Sequence, residues 1–441
     1  MPLVARTARQ DKVRELQRTL YRAAKADPER RFHALHDKVL RRDVLERAWE
    51  SVRANRGAAG IDHTTIADVE QYGVSRLLDE LAADLRDGRW RPLPARRVFI
   101  PKPGREELRP LSIPAVRDRV VQAALKSVIE PIFEADMLPC SFGFRPRRSA
   151  HDALQVLIDE SWRGARWVAE SDVANCFEAI PHSGLMAAIE ERISDRHVLK
   201  LLRAMLRAGV MEDAAIKRSI SGTPQGGVIS PVLCNVYLHR LDRQWAERGS
   251  GVLVRYADDL LAICKTKRDA EGALEALTAI LAEMGLELTQ AKTRIVHLRG
   301  GEGVDFLGFH HRYVRGNTRR SRHLTFLVRW PSRQAMGHAR QRIREITARS
   351  RLRVPVEVIV RDLNRFLRGW AGYFRHGNSA QLFDKITLHA LRRLAGFIAQ
   401  RHKRRKRYGW WVVAHQTHRM GLIDLNGTIV APRPTPRHRG S

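Results

Sequence analysis

Acid is scarce in this chain: 79 lysines and arginines face 48 aspartates and glutamates, a formal excess of +31 over 441 residues. A surface of that sign argues against a cationic partner and favours a polyanion, with nucleic acid ahead of a membrane surface. Cysteine is scarcer. Cys140, Cys176, Cys234 and Cys264 lie far apart with no Cys-x-x-Cys pair, which argues against a disulfide framework and against structural zinc, and reads as reduced core thiols. Long apolar runs are absent too: no stretch approaches the roughly 18 uninterrupted apolar residues that span a bilayer. The opening Met1-Pro2-Leu3-Val4-Ala5-Arg6 lacks the apolar core of a secretion signal. The expected compartment is therefore the cytoplasm, with no membrane partner. No repeat of about 20 to 50 residues is visible, which removes solenoids and propellers.

What is present supports about two to four domains with ample apolar content for a core. Residues 1 to 90 read as charged helices, for example 11–26 and 74–85, broken by the glycine-rich turn Arg56-Gly57-Ala58-Ala59-Gly60-Ile61-Asp62. From 91 to 309 short strand-like runs alternate with helices, a mixed α/β body. From 329 to 400 the pattern is helical again, with Val360, Leu363, Phe366, Leu367 and Trp370 spaced three and four apart and arginines between them. The run Arg401-His402-Lys403-Arg404-Arg405-Lys406-Arg407 leads into Tyr408, Trp410 and Trp411. Such a run is either a solvated charge cluster or a contact that draws phosphate and stacks bases.

Against the basic background, Tyr256-Ala257-Asp258-Asp259 places two adjacent carboxylates between the apolar runs Val252 to Tyr256 and Leu260 to Ile263. That pattern predicts a β-hairpin with the acids at its turn. Two readings fit: a solvated turn, or a site where a divalent cation offsets the repulsion of the pair. Asp172 ends a second strand-like run, Trp167 to Ser171, before Val173-Ala174-Asn175-Cys176-Phe177-Glu178 turns into a helix. It fits a helix cap or a third metal ligand. Phe177 fits a core aromatic, or a ring beneath the sugar of a nucleotide that excludes a 2′-hydroxyl. In Gly222-Thr223-Pro224-Gln225-Gly226-Gly227-Val228-Ile229-Ser230-Pro231, Ser230 reads as an N-cap and Pro231 as the first helical residue, with Gln225 displayed before them. Two strands around a glycine-containing turn, Val98 to Gly104 and Leu108 to Pro114, carry Lys102 and Arg109, either surface charges or grips on a triphosphate. Lys292 carries the same two readings.

In this order the segments resemble reverse transcriptases, and in particular the reverse transcriptase-maturases of group II introns. The resemblance rests on Tyr256 to Asp259, the Gly57 to Asp62 turn, Arg109-Pro110-Leu111, Ser141-Phe142-Gly143-Phe144-Arg145-Pro146, Asp172 to His182, Thr223 to Gly227, Lys292-Thr293 and Phe306-Leu307-Gly308-Phe309. It extends to Leu363-Asn364-Arg365-Phe366-Leu367-Arg368-Gly369-Trp370-Ala371-Gly372-Tyr373-Phe374, which is similar to the maturase-specific thumb. The resemblance implies an α+β right-hand polymerase, in which fingers and an antiparallel palm sheet precede an α-helical thumb, or domain X, and a basic tail. Its expected divisions are an N-terminal helical extension at 1–80, fingers and palm at 81–315, thumb at 316–400 and tail at 401–441.

By the same resemblance Asp172, Asp258, Asp259 and the carbonyl of Val173 would hold two magnesium ions, for which manganese could substitute. Lys102, Arg109, Val173, Phe177, Gln225 and Lys292 would form the nucleotide pocket. Arg365, Arg368, Arg404, Arg405, Lys406 and Arg407 would bind RNA or DNA. The implied partners are intron RNA as template, a DNA or RNA primer, deoxynucleoside triphosphates and target DNA, in a bacterial-type cell and at the nucleoid when on DNA. Glu178 stands where the family more often has Asp. The paired cysteines of a C-terminal DNA endonuclease are missing, so insertion is expected to take its primer elsewhere, as from a replication fork. Two other readings stay open: an RNA-binding maturase without polymerase activity, and a domesticated relative in phage defence or DNA repair.

Overall fold

The computed structural model describes residues 3–101, 108–212, 215–217, 222, 226–316, 319 and 322–435. Lys102 and Gln225 fall outside them. Helices dominate the start, with Leu3–Ala26, Arg42–Asn55 and Val74–Arg86 the longest. The starts of three other helices, Ile66–Tyr72, Ala150–Trp162 and Lys267–Glu283, follow local chemistry. At Thr65, Ser149 and Thr266 a hydroxyl accepts from the backbone three residues on, while Asp68, Asp152 and Asp269 bond back to the cap. Each box satisfies two N–H groups that the first turn of a helix leaves unpaired.

Among the described residues eleven strands form three sheets. Ala95–Pro101 (β1) and Leu108–Ile113 (β2) pair antiparallel with Ile100 opposite Arg109. Trp167–Asp172 (β3) belongs to the second sheet, while Val210–Glu212 (β4) runs parallel to the start of β1 and pairs with Ala215–Lys217 (β5), giving the order β2-β1-β4-β5. Val252–Tyr256 (β6), Asp259–Cys264 (β7) and Arg294–His297 (β8) join β3 in the antiparallel order β6-β7-β3-β8. Val304–Phe306 (β9), Phe309–Arg315 (β10) and Thr325–Pro331 (β11) make the third.

The second sheet is the partition of the molecule. Strand alternation sends Leu253, Leu260, Ala262 and Ala169 into one apolar cluster, which includes the N-terminal helices and the helices Ser230–Arg248 and Lys267–Glu283. Val254, Leu261, Ile263 and Val168 enter a second cluster with Ala150–Trp162 and the C-terminal helices Arg333–Ile346, Val356–Phe374, Ala380–Arg401 and Lys406–Met420. Each buried aliphatic contributes about 1.5–3 kcal/mol, so both faces of the sheet are fixed by packing. In Val356–Phe374 the apolar stripe Val360, Leu363, Leu367 and Trp370 is buried, and Arg365 and Arg368 are exposed.

Two local expectations are corrected. The Ser230–Arg248 helix begins one residue early, with Ile229 as cap and Pro231 inside the first turn, where a missing N–H costs nothing because those donors have no helical acceptor. The cysteines are free, as expected, but not isolated: the Cys176 and Cys234 sulfurs are 3.5 Å apart, and Cys140 is only partly buried. Among the described residues no helix is long and apolar enough to cross a membrane.

Candidate active site

The β6-β7 hairpin closes with Tyr256 opposite Asp259, so Ala257 and Asp258 form the turn and Asp259 opens β7. Ala257 has φ of +57°, a left-handed conformation that a residue with a Cβ adopts only when its surroundings hold it there. On the neighbouring strand Asp172 lies opposite Asp259. The Val173 N–H donates to the Asp258 carbonyl at 3.0 Å, which places the Asp172–Asp259 pair at a non-hydrogen-bonded position, where facing side chains approach most closely. Three carboxylates are thus brought together by one sheet register.

Burial and mutual repulsion both disfavour charge here. Burial, then the Asp258 carboxylate, push Asp259 up to about 7, with Lys292 opposing. Burial and Asp172 raise Asp258, against the pull of Lys292 and Arg109. The Lys292 ammonium donates to Asp172 Oδ2. Asp172 Oδ1 is buried without a hydrogen-bond partner. Val173 pairs with Leu288 through its neighbours, Thr289 N–H to Asp172 C=O and Ala174 N–H to Glu287 C=O, each 2.8 Å. That bridge leaves the Val173 carbonyl out of the pairing. Among the described residues no three His, Cys, Asp or Glu side chains already form a cation cage.

Arg109, Ile100, Asp172, Asp259, Lys292 and Gly308 share the lining of one cleft of ≈ 580 Å³. Strands β1 and β2 therefore reach the same cleft as Asp172 and Asp259, through Ile100 and Arg109. Lys102 lies outside the described residues. Phe177, in the short helix Cys176–Ala179, is half-buried against the first apolar cluster. Beside it Glu178 pairs with Arg97 of β1 at 3.1 Å, a link from the short helix after β3 to the first sheet that residue order did not reveal. Gln225 also lies outside the described residues. The Gly222 N–H donates to the Ile180 carbonyl at 2.8 Å and its carbonyl is 2.7 Å from His182 Nε2, while the Val228 N–H donates to Gln122 Oε1 at 2.9 Å. Arg404, Arg405, Lys406 and Arg407 are exposed at the start of the last helix, with Trp410 and Trp411 also exposed beyond them.

One group that sequence reading missed lies beneath the hairpin turn. Arg255 is fully buried and bound to Asp242, Asn235 and Ser141. Its signal was a single charged residue in an otherwise apolar strand, at a position that alternation places with Leu253 in the core.

An antiparallel sheet that sets Asp172 opposite Asp259, with Arg109 and Lys292 lining the same cleft, fits the architecture of a template-directed nucleotidyl transferase. Residues 100–311 match the family model for reverse transcriptase (RNA-dependent DNA polymerase), and 336–415 match the maturase-specific domain of group II introns. The chain is 35% identical over 347 residues to protein YkfC of Escherichia coli, covering 70% of this chain and 90% of that protein. It is 36% identical over 278 residues to the group II intron-encoded protein LtrA of Lactococcus lactis, covering 63% of this chain and 43% of LtrA. With an uncharacterized 91 kDa protein in a cob intron of Schizosaccharomyces pombe it shares 35% over 206 residues, 25% of that protein. The chain belongs to the group II intron reverse transcriptase and maturase family. It spans less than half the length of LtrA.

Proposed function

We propose that the protein is an RNA-directed DNA polymerase that also binds a group II intron RNA and assists its splicing and retrotransposition. The observation that carries this reading is the register that sets Asp172 opposite Asp259, with Asp258 on the adjoining turn and Arg109 and Lys292 in the same cleft. The maturase-specific match over the C-terminal helices supports the RNA-binding half. In this reading 81–315 are fingers and palm, the helices that follow are the thumb, and Arg365, Arg368 and Arg404 to Arg407 contact nucleic acid.

Magnesium suits the donor set. Two carboxylates forced together on adjacent strands and a buried Asp172 oxygen without a partner are what a hard divalent cation would satisfy. Asp172, Asp258, Asp259 and the Val173 carbonyl would hold it, and when bound it would supply charge neutralisation for both the attacking and leaving oxygens. The chain's own residues do the rest. Arg109 and Lys102 hold the triphosphate and offset charge that builds at the reacting phosphorus. Phe177 presses on the sugar and leaves no room for a 2′-hydroxyl, while Gln225 borders the pocket. Lys292 stays beside Asp172 and the incoming phosphates. The primer 3′-hydroxyl gives its proton to water as its oxygen bonds to the α-phosphorus, the bond to the bridging oxygen breaks, and pyrophosphate leaves. Asp258→Ala tests the reading: magnesium-dependent cDNA synthesis on an RNA template should vanish while RNA binding persists. Unchanged extension by that variant would refute it.

A further inference from the structure

Arg255 is the penultimate residue of β6 and has no exposed surface. Alternation puts it on the opposite face of the sheet from Asp259, directly behind the turn. Its Nε and Nη2 donate to the two Asp242 carboxylate oxygens at 2.7 and 2.6 Å, Nη2 also donates to Ser141 Oγ at 2.7 Å, and Nη1 donates to Asn235 Oδ1 at 3.0 Å. One further bond leaves this cage. Nη1 also donates to the carbonyl of Ala257 at 3.2 Å, the residue at positive φ between the hairpin strands.

A fully buried ion pair is a poor way to obtain stability. Desolvating both charges offsets most of their attraction, and well-packed apolar residues of similar volume often do as well or better. What the pair can provide is direction: a guanidinium is a rigid planar fork, so fixing two of its nitrogens on Asp242 fixes where the third points. On the other side of the turn Gly143 leaves no space, since a Cβ there would lie 2.4 Å from the Ala257 nitrogen. Asn235 joins the two sides, accepting from Arg255 and donating to the Gly143 carbonyl at 2.8 Å. The backbone is tied in as well, with the Arg255 N–H on the Cys140 carbonyl at 2.8 Å and its own carbonyl accepting from Phe142 at 2.9 Å.

We infer that Arg255, oriented by Asp242, is a positioning residue for polymerisation: it holds the Ala257 turn in its strained conformation and thereby sets the direction of the Asp258 and Asp259 carboxylates. It touches neither substrate nor reacting atoms. The inference rests on the polymerase reading, because only a site sensitive to carboxylate direction gives the cage a catalytic consequence. Misplacement of catalytic groups by about 1 Å costs on the order of 100-fold in rate.

The experiment uses the full chain. Arg255→Lys keeps the positive charge but cannot reach Asp242 and Ala257 together. Extension on an RNA template should fall about 10- to 100-fold. The magnesium concentration for half-maximal rate should rise, as should the concentration that raises the Tm by half its full amount. The KM for deoxynucleotide and the affinity for RNA should stay within about twofold. Leu78→Ala, which opens a cavity in the distant Val74–Arg86 helix, is the control for general destabilisation and should leave both magnesium midpoints unmoved. If Arg255→Lys fails to fold, the pair Arg255→Met with Asp242→Leu replaces the buried charges by apolar volume, and should fold with extension still impaired. Unmoved magnesium midpoints in Arg255→Lys, an equal shift in Leu78→Ala, or wild-type extension by the apolar pair would each overturn the inference. Failure of the polymerase reading itself is distinguishable, because the unaltered chain would then not extend a primer.

Discussion

Asp172 and Asp259 face each other across β3 and β7, with the Val173 N–H already committed to Asp258 beside them. Like charges directly opposite on adjacent strands destabilise a sheet. Without divalent ions, Asp259→Asn should therefore stabilise the fold by about 0.5–1 kcal/mol, seen as a higher Tm in EDTA. Its Tm should no longer respond to magnesium, and extension should be lost. A lower Tm in EDTA would contradict the repulsion argued from the register.

The half-buried ring of Phe177, in the short helix Cys176–Ala179, follows Asp172 by five residues and packs on the core. Phe177→Ala should raise the ratio of ribonucleotide to deoxynucleotide incorporation by about 10-fold or more, equivalent to about 1.4 kcal/mol. Competition assays with paired nucleotides measure this ratio. No change would leave the ring as core packing alone.

His311, in β10, is fully buried. Burial, then the charges of Arg329 and His310, hold it down to about 3. Its folded pKa lies below the unfolded value near 6.5, so the unfolded chain takes up the proton first. The group's contribution is present above about pH 6.5 and is lost as pH falls toward 3. His311→Leu should flatten this acid loss. Urea midpoints at pH 7.5, 6 and 5 measure the effect. An unchanged pH slope would assign the acid sensitivity elsewhere, as to His151, which burial and the His376 and Arg329 charges hold to about 4.

Replacing Arg404, Arg405, Lys406 and Arg407 by glutamine should reduce the slope of log affinity against log salt by about 3, given that each phosphate neutralised contributes about 0.7–0.9. Filter binding or anisotropy across a salt series gives the slope. An unaltered slope would leave these side chains merely solvated.

Local features of the site were legible because local chemistry decides them. The hairpin follows from two apolar runs around a polar turn, and the strand before Asp172 from its composition. The register between them was not, because β3 and β7 lie far apart in sequence and only packing on both faces fixes which residues meet. Alternation with Leu253 hinted that Arg255 is buried, but not what it binds. Its partner Asp242, on the Ser230–Arg248 helix, is found only in the folded chain. The Glu178 bond to Arg97 is likewise a product of tertiary approach, and so is the contact of Cys176 with Cys234.

Gly409 shows how the last helix is mounted. A Cβ at this position would lie within 1.9 Å of the Ala395 carbonyl oxygen, so the helix rests backbone to backbone on Ala380–Arg401, and Val412 and Val413 are buried beyond the contact. The cations from Arg404 to Arg407 are therefore mounted on a cantilever rather than trailing on a leash. Their positions are inherited from the helical bundle, and any tilt of that bundle would swing the positive charge with it as a rudder.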